Sequence, residues 1–122
     1  NQLTHLKTLE YHLYNKETID LINLTHLNIS GSKHIKHLDN LVNLIELKCS
    51  YTPIEHINLP KLKVLVCINI KMSKFDHLTS LEELTCDGTS TESVDLPKLR
   101  KLSCGNTNIT KFDHLKSLIY LD

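Results

Sequence analysis

A phrase of apolar residues returns along this chain at a nearly constant spacing. Its pattern is L-x-x-L-x-x-L-x-C-x-x-T, and the clearest copy, LTSLEELTCDGT, occupies residues 78–89. Further copies are LVNLIELKCSYT at 41–52, LPKLKVLVCINI at 59–70 and LPKLRKLSCGNT at 96–107. Self-similarity at a fixed period indicates a solenoid, in which each repeat buries its apolar face only against its neighbours.

The third leucine of the phrase gives the period of the repeat. It recurs in steps of 18 to 20 residues, at Leu9, Leu27, Leu47, Leu65, Leu84, Leu102 and Leu121. Two successive copies also form a larger unit of 37 residues, because FDHLTSLEEL at 75–84 matches FDHLKSLIYL at 112–121. One kind of connector between copies contains Pro, and the other contains Asp-His or Asp-Asn. The sequence therefore predicts two alternating types of repeat.

The phrase resembles the leucine-rich repeat family, and the resemblance covers nearly the whole chain, from Leu3 to Leu121. Cysteine-ladder internalins, bacterial effector repeats and giant-virus repeats are the relatives that it looks like. The resemblance implies an α/β solenoid dominated by β structure, right-handed, with short parallel strands on its concave side. The repeats are shorter than the usual length of about 20–29 residues. We therefore expect extended segments or single 3₁₀ turns on the convex side.

Residues 1–122 are expected to form a single leucine-rich-repeat domain of about six repeats. Alternating apolar and polar residues within each phrase predict one short strand per repeat. The predicted strands are Thr8–His12, His26–Ser30, Glu46–Ser50, Val64–Ile68, Glu83–Asp87 and Lys101–Gly105, with a partial strand near Tyr120. The sequence starts at NQLTHL and stops at LIYLD, without polar capping repeats. We expect a piece of a longer protein, with ends that pack against another molecule as the alternative.

Four cysteines stand at the same place in four successive copies, at Cys49, Cys67, Cys86 and Cys104. Neighbouring strands lie about 4.8 Å apart, so the thiols are expected to stack in one inward-facing column. A cysteine in such a column acts as a small core hydrophobe. Disulfides between adjacent stacked strands would have poor geometry, and no C-x-x-C pair suggests a metal site.

Two polar ladders follow the same register. Aspartate or asparagine stands at Asp20, Asp39, Asn58, Asp76, Asp95 and Asp113. These side chains are expected to accept hydrogen bonds from backbone N–H groups two or three residues on and so to close turns. A cation site built from stacked carboxylates is the alternative. A hydroxyl ladder at Ser32, Thr52, Thr89 and Thr107 is expected to satisfy backbone groups of the bend after each strand.

The sequence contains no motif that carries chemistry. His77 and His114 are equivalent residues 37 positions apart, but no H-E-x-x-H or Cys/His pairing surrounds any of the eight histidines. We expect the histidines to be exposed polar filler, that is, surface residues without a specific role. No Gly-rich phosphate loop and no G-x-S-x-G sequence is present. The sequence therefore predicts no enzyme activity, no catalytic residue, no metal site and no cofactor.

The charge balance and the apolar runs bear on the class of partner and on location. Fourteen basic residues match fourteen acidic residues, whereas nucleic-acid binding needs a basic excess on one face. No apolar run reaches the length of a membrane span. The stretch NQLTHLKTLEYHLYNK lacks the apolar segment of a signal peptide. The lack of such a segment in this stretch, together with four unpaired thiols, favours a cytoplasmic location, or the host cytosol for an effector.

A partner is expected to bind the outward-facing strand residues of the concave side. Most of them are polar or charged, but the fourth strand places Val64, Val66 and Ile68 there. Exposed apolar clusters mark interaction sites, and an apolar centre with a charged rim is typical of protein interfaces. The alternative is that β-branched residues only favour the strand. The candidate partner-binding residues are Glu46, Lys48, Val64, Val66, Ile68, Glu83, Thr85, Asp87 and Lys101.

The sequence thus favours a non-enzymatic protein-protein recognition module that binds a protein partner on its concave face. Two alternatives remain open at this stage. The chain could be the substrate-recognition segment of a larger enzyme, such as a ubiquitin ligase effector, or a structural repeat unit that self-associates end to end. Few aromatic residues lie on the predicted face, which argues against a platform for stacking nucleic-acid bases.

Overall fold

The computed structural model describes residues 5–10 and 17–122. Seven short parallel strands form one sheet, in which each strand pairs with the next one along the sequence. The strands are β1 (Thr8–Glu10), β2 (His26–Asn28), β3 (Glu46–Lys48), β4 (Val64–Val66), β5 (Glu83–Thr85), β6 (Lys101–Ser103) and β7 (Tyr120–Leu121). The described residues contain no helix. The protein is a parallel β-solenoid of about six turns, which confirms the predicted fold class.

Each strand begins where the sequence predicts it, but the regular strands are shorter than the predicted ones. β3 ends at Lys48 instead of Ser50, for example. Backbone hydrogen bonds continue past the strand ends, because the N–H of Tyr51 donates to the carbonyl of Ile68 at 2.9 Å. The last two residues of the predicted first strand lie outside the described residues.

The third leucine of each phrase stacks on its neighbours to form the core. Leu47 pairs in register with Leu27 on one side and Leu65 on the other, and all three are buried. Burying one such side chain stabilises the fold by about 1.5–3 kcal/mol. A continuous cluster of buried residues runs along the solenoid beneath the sheet. The leucine repeat therefore fixes both the register of the sheet and the direction of its inner face.

The two predicted repeat types differ in how their convex connectors turn. A short connector makes one turn, in which the N–H of Leu62 donates to the carbonyl of Leu59 at 3.2 Å. A long connector makes two successive turns, from Leu78 to Phe75 at 2.9 Å and from Leu81 to Leu78 at 3.0 Å. The additional turn explains why steps of 18 residues alternate with longer ones. The convex segments are turns and extended chain, and the described residues include no 3₁₀ helix.

Side chains of each long connector donate hydrogen bonds to carbonyl groups of the short connector before it. One row joins Asn40 to Ile19, His77 to Ile57 and His114 to Val94, at 2.5–2.8 Å. A second row joins Asn43 to Ile22, Ser80 to Pro60 and Ser117 to Pro97, at 2.8–3.1 Å. The expectation that His77 and His114 are only exposed polar filler is therefore wrong, since each ring bonds two repeats together.

The hydroxyl ladder has the structural role that the sequence predicts. The threonine hydroxyl donates to the carbonyl three residues earlier, from Thr52 to Cys49, from Thr89 to Cys86 and from Thr107 to Cys104, at 2.6–2.7 Å. The aspartate ladder behaves differently from its prediction. Oδ1 of Asp76 accepts the backbone N–H of Asp95 in the next repeat at 2.7 Å. That bond joins repeats, and the turns themselves are closed by backbone hydrogen bonds.

After each of the strands β2 to β6 the chain bends through one residue with a positive φ angle. These residues are Gly31, Tyr51, Asn69, Gly88 and Asn106, with φ between 53° and 81°. Glycine and asparagine adopt this left-handed conformation most readily, so four of the five suit their place. Tyr51, with φ of 58°, is the exception.

Candidate functional site

The outward-facing residues of β3 to β6 form the candidate site, which we call the sheet face. Val64 pairs in register with Glu46 on one side and Glu83 on the other. Val66 pairs in the same way with Lys48 and Thr85. The parallel ladder thus places a strip of apolar side chains between two strips of polar ones, as the sequence predicts.

The apolar strip on the sheet face is open to solvent. Val64, Val66 and Ile68 are all partly exposed, whereas Leu65 and Cys67, which alternate with them, are fully buried. Successive residues of a strand point to opposite sides of the sheet, so Val64 and Val66 lie in one line along β4, and Ile68 stands just past the end of that strand. Seven of the nine candidate residues lie in the strands β3 to β6, and Ile68 and Asp87 stand just past the ends of β4 and β5.

Two ion pairs lie on the sheet face. Lys48 Nζ is 3.6 Å from Glu46 Oε1, and Lys101 Nζ is 3.4 Å from Glu83 Oε1. All four side chains are substantially exposed, and exposed pairs of this kind are worth about 0–1 kcal/mol. The pairs orient their side chains but stabilise the fold little, so the charged groups remain free to exchange partners.

Asp87 is held more rigidly than the other acidic residues of the sheet face. Its Oδ1 accepts hydrogen bonds from the Ser103 hydroxyl at 2.8 Å and from the Gly105 N–H at 3.2 Å. Both donors come from the next repeat. The carboxylate is therefore fixed towards Ser103 and Gly105, one strand beyond Ile68, with its second oxygen unused by the described residues.

Ser50 differs from the sequence interpretation, which places it among the outward-facing residues. Its side chain is buried, with 6% of its surface exposed, and its Oγ accepts the backbone N–H of Ile68 at 3.0 Å. Asp87, the equivalent residue two repeats later, makes the corresponding bond to the N–H of Gly105 but stays partly exposed. Ser50 therefore positions the backbone of Ile68 instead of facing a partner.

Tyr51 belongs to the surroundings of the site, although strand alternation does not identify it. Its side chain is 62% exposed, and its backbone bonds directly to Ile68. The sequence does contain one signal that identifies Tyr51 as unusual, namely its place in the repeat, because the equivalent residues in four other copies are glycine or asparagine.

The cysteine column lies on the other side of the sheet, inside the core. Cys49, Cys67 and Cys86 are fully buried, Cys104 is half-buried, and all four are free thiols. Burial raises the pKa of Cys49 and of Cys86 to about 12 and raises the pKa of Cys67 well above its usual range. These thiols stay protonated and out of reach of substrates, so the column confirms the predicted packing role.

The convex side contains a groove with a volume of about 730 Å³. It is lined by Glu55, His56, Lys71, Lys74 and His77, among others. Glu55 and Lys71 already form an ion pair at 3.4 Å. Residues 5–10 and 17–122 contain no cluster of three or more His, Cys, Asp or Glu side chains that could hold a metal ion.

No helix in the described part of the chain is long and apolar enough to cross a membrane. No protein-family model matches the sequence, and no curated protein matches it either.

Solved structures do match. The functional domain of InlJ from Listeria monocytogenes, which includes a cysteine ladder, aligns with a TM-score of 0.75 and 31% sequence identity. The alignment covers 97% of this chain and 30% of that one. The internalin InlF from Listeria monocytogenes aligns with a TM-score of 0.67 and 17% identity, over 98% of this chain and 48% of that one. The chain thus spans less than half the length of either protein.

The internal evidence and the structural comparison agree on the architecture. Four successive repeats stack cysteines beneath one parallel sheet, and the similar InlJ domain also includes a cysteine ladder. The chain is therefore a parallel β-solenoid with a column of stacked cysteines, similar to this InlJ domain and similar in fold to InlF.

Proposed function

We propose that this chain is a non-enzymatic protein-recognition module that binds a protein partner on its sheet face. The observation that carries the proposal is the apolar strip of Val64, Val66 and Ile68, partly exposed between charged strips. Exposed apolar side chains surrounded by polar ones mark interaction surfaces.

Strand propensity alone is a weaker explanation of the apolar strip. The same register position holds Lys48 in β3, Thr85 in β5 and Ser103 in β6, and those strands form equally well. Nothing in the sheet ladder therefore requires valine at residue 66, and its exposed apolar surface is best explained by contact with a partner.

The rigidity of the sheet face supports the same proposal. Backbone hydrogen bonds tie every strand to its neighbours, and Ser50 and Asp87 fix the backbone and side chains at the end of the strip. A surface that is already ordered loses little conformational entropy when it binds.

Substitution of Val66 tests the proposal directly. The native chain, Val66→Lys and Thr79→Lys are immobilised in equal amounts, and the proteins that each one captures are identified by mass spectrometry. Lysine is tolerated in β3 at the position that pairs with Val66, so Val66→Lys is expected to fold. Thr79 is exposed on the convex side and is the matched control.

We expect the native chain and Thr79→Lys to capture the same protein and Val66→Lys to lose it. Equal capture by Val66→Lys, with unchanged circular dichroism, would show that the sheet face is not the binding surface.

A further inference from the structure

We infer that the partner contact extends from the sheet face onto Tyr51, and that the partner places apolar side chains over Tyr51 and Ile68 and a basic side chain beside Asp87. This inference rests on the proposed function. It assigns to the site a residue outside the strands and a chemical class of partner, namely a protein segment in which lysine or arginine alternates with apolar residues.

The backbone conformation of Tyr51 is the first observation. Its φ of 58° lies in the left-handed region, which bulky side chains disfavour. The equivalent residues Gly31, Asn69, Gly88 and Asn106 show that the fold works with residues that suit this conformation. The ring is 62% exposed, so core packing does not compensate for the strain. Strain that the fold does not need, at an exposed aromatic residue, points to function.

The placement of Tyr51 is the second observation. Its N–H donates to the carbonyl of Ile68, and the N–H of Asn69 donates to the carbonyl of Asp87, both at 2.9 Å. Tyr51 and Asp87 therefore stand on the strand extensions that flank Ile68, each about one strand spacing of 4.8 Å away. At the end of the apolar strip, Ile68 thus has Tyr51 on its β3 side and Asp87 on its β5 side.

The local charge gives the chemistry of the partner. Glu46, Glu83 and Asp87 lie around the apolar strip with two lysines, Lys48 and Lys101, which gives a local net charge of −1 in a chain whose formal net charge is zero. The two lysines pair with Glu46 and Glu83, so Asp87 carries the surplus negative charge. Asp87 Oδ2 accepts no hydrogen bond from the described residues. A lysine or arginine side chain of the partner beside Asp87 neutralises this charge, while its apolar neighbours cover Tyr51, Val66 and Ile68.

The same charges disfavour a second copy of the chain as the occupant. A two-fold axis parallel to β4 would place Glu46 of one copy opposite Glu83 of the other. A two-fold axis across the strands would place Glu83 opposite Asp87. Either arrangement brings carboxylates together, and like charges that face each other across an interface oppose association.

Three synthetic twelve-residue peptides test the inference in 150 mM salt, with alternating Lys and Leu, alternating Glu and Leu, or alternating Lys and Ser. Binding is measured by calorimetry and mapped by amide chemical shifts. We expect only the Lys-Leu peptide to bind, with shifts at Tyr51, Val66, Ile68 and Asp87.

Tyr51→Asn should weaken this binding at least fivefold without lowering the melting temperature, because asparagine already occupies two equivalent places. Tyr120→Asn, at another exposed tyrosine, is the matched control and should change nothing.

The outcomes separate the inference from the proposed function. If Val66→Lys abolishes peptide binding but Tyr51→Asn leaves it within twofold of native, the role of Tyr51 is refuted and the sheet face stands. Binding of the Glu-Leu peptide, equal binding of all three, or binding of none refutes the partner chemistry. In each of these cases the capture experiment with Val66→Lys decides the proposed function independently.

Discussion

At the scale of single residues, the repeat phrase predicts which side chains are buried, and it fails at the ends of the strands. Leu47, Leu65 and Cys67 are buried as alternation requires. Ser50 is buried although its equivalents Ile68 and Asp87 are partly exposed, and its hydroxyl is used to bond the backbone of Ile68. A φ angle is a property of the backbone, and tyrosine at residue 51 gives no local sign of it. Only comparison with the glycine and asparagine of the other repeats reveals the position.

The cysteine column makes stability depend on pH. Burial raises the thiol pKa in the folded state, whereas an unfolded thiol ionises near pH 8.5–9. The contribution of the neutral thiols to stability is therefore complete below about pH 9 and is lost as the pH rises towards 12. The slope is about 1.4 kcal/mol per pH unit for each buried thiol. All other residues are the same in the compared proteins, so their contributions to the pH dependence cancel.

Urea unfolding at pH 8 and pH 10 measures this effect. We expect the free energy of unfolding of the native chain to fall between these pH values. In the double variant Cys49→Ala/Cys86→Ala the fall should be smaller by about 3 kcal/mol, since two titrating thiols are gone. An identical fall in both proteins would show that these thiols do not ionise preferentially in the unfolded chain.

At the scale of elements, the sequence predicts the order, direction and register of the strands, because one leucine per repeat specifies all three. It does not predict the hydrogen bonds between connectors. Those bonds join residues 20 or 21 positions apart, such as His77 and Ile57, and a local pattern does not contain them. The usable signal is the recurrence of the same donor after 37 residues, at His77 and His114 and again at Ser80 and Ser117. Repeats of a solenoid contact only their neighbours, so these bonds contribute directly to the coupling between repeats.

Substitution of His77 tests that coupling. His77→Ala should lower the free energy of unfolding by about 1 kcal/mol, the usual net worth of one hydrogen bond. His77→Asn should recover most of the loss, because Asn40 makes the equivalent bond in the first long connector. His56→Ala, at an exposed histidine without such a bond, is the control, and chemical denaturation is the measurement. Equal losses for His77→Ala and His56→Ala would contradict the structural role of the His77 ring.

At the scale of the whole molecule, the solenoid presents one rigid sheet face, and the location of the apolar strip on that face could be predicted from sequence alone. Its extension to Tyr51 and the fixing of Asp87 by Ser103 and Gly105 could not be predicted in this way, because both depend on contacts between repeats.

The carboxylates around the apolar strip make it a poor interface between copies of this chain. Light scattering over a concentration series should therefore give the same mass for the native chain and for Val66→Lys at each concentration. A lower mass for Val66→Lys would identify the sheet face as a self-association surface.

The most direct test of the central claim is the dissociation constant of the captured partner for the native chain, Val66→Lys and Thr79→Lys. A lysine at the centre of a desolvated apolar contact costs about 2 kcal/mol or more, which corresponds to a loss of affinity of about thirtyfold. We predict a loss of that size for Val66→Lys and no change for Thr79→Lys on the convex side. A dissociation constant for Val66→Lys within twofold of the native value would contradict the assignment of the sheet face as the binding surface.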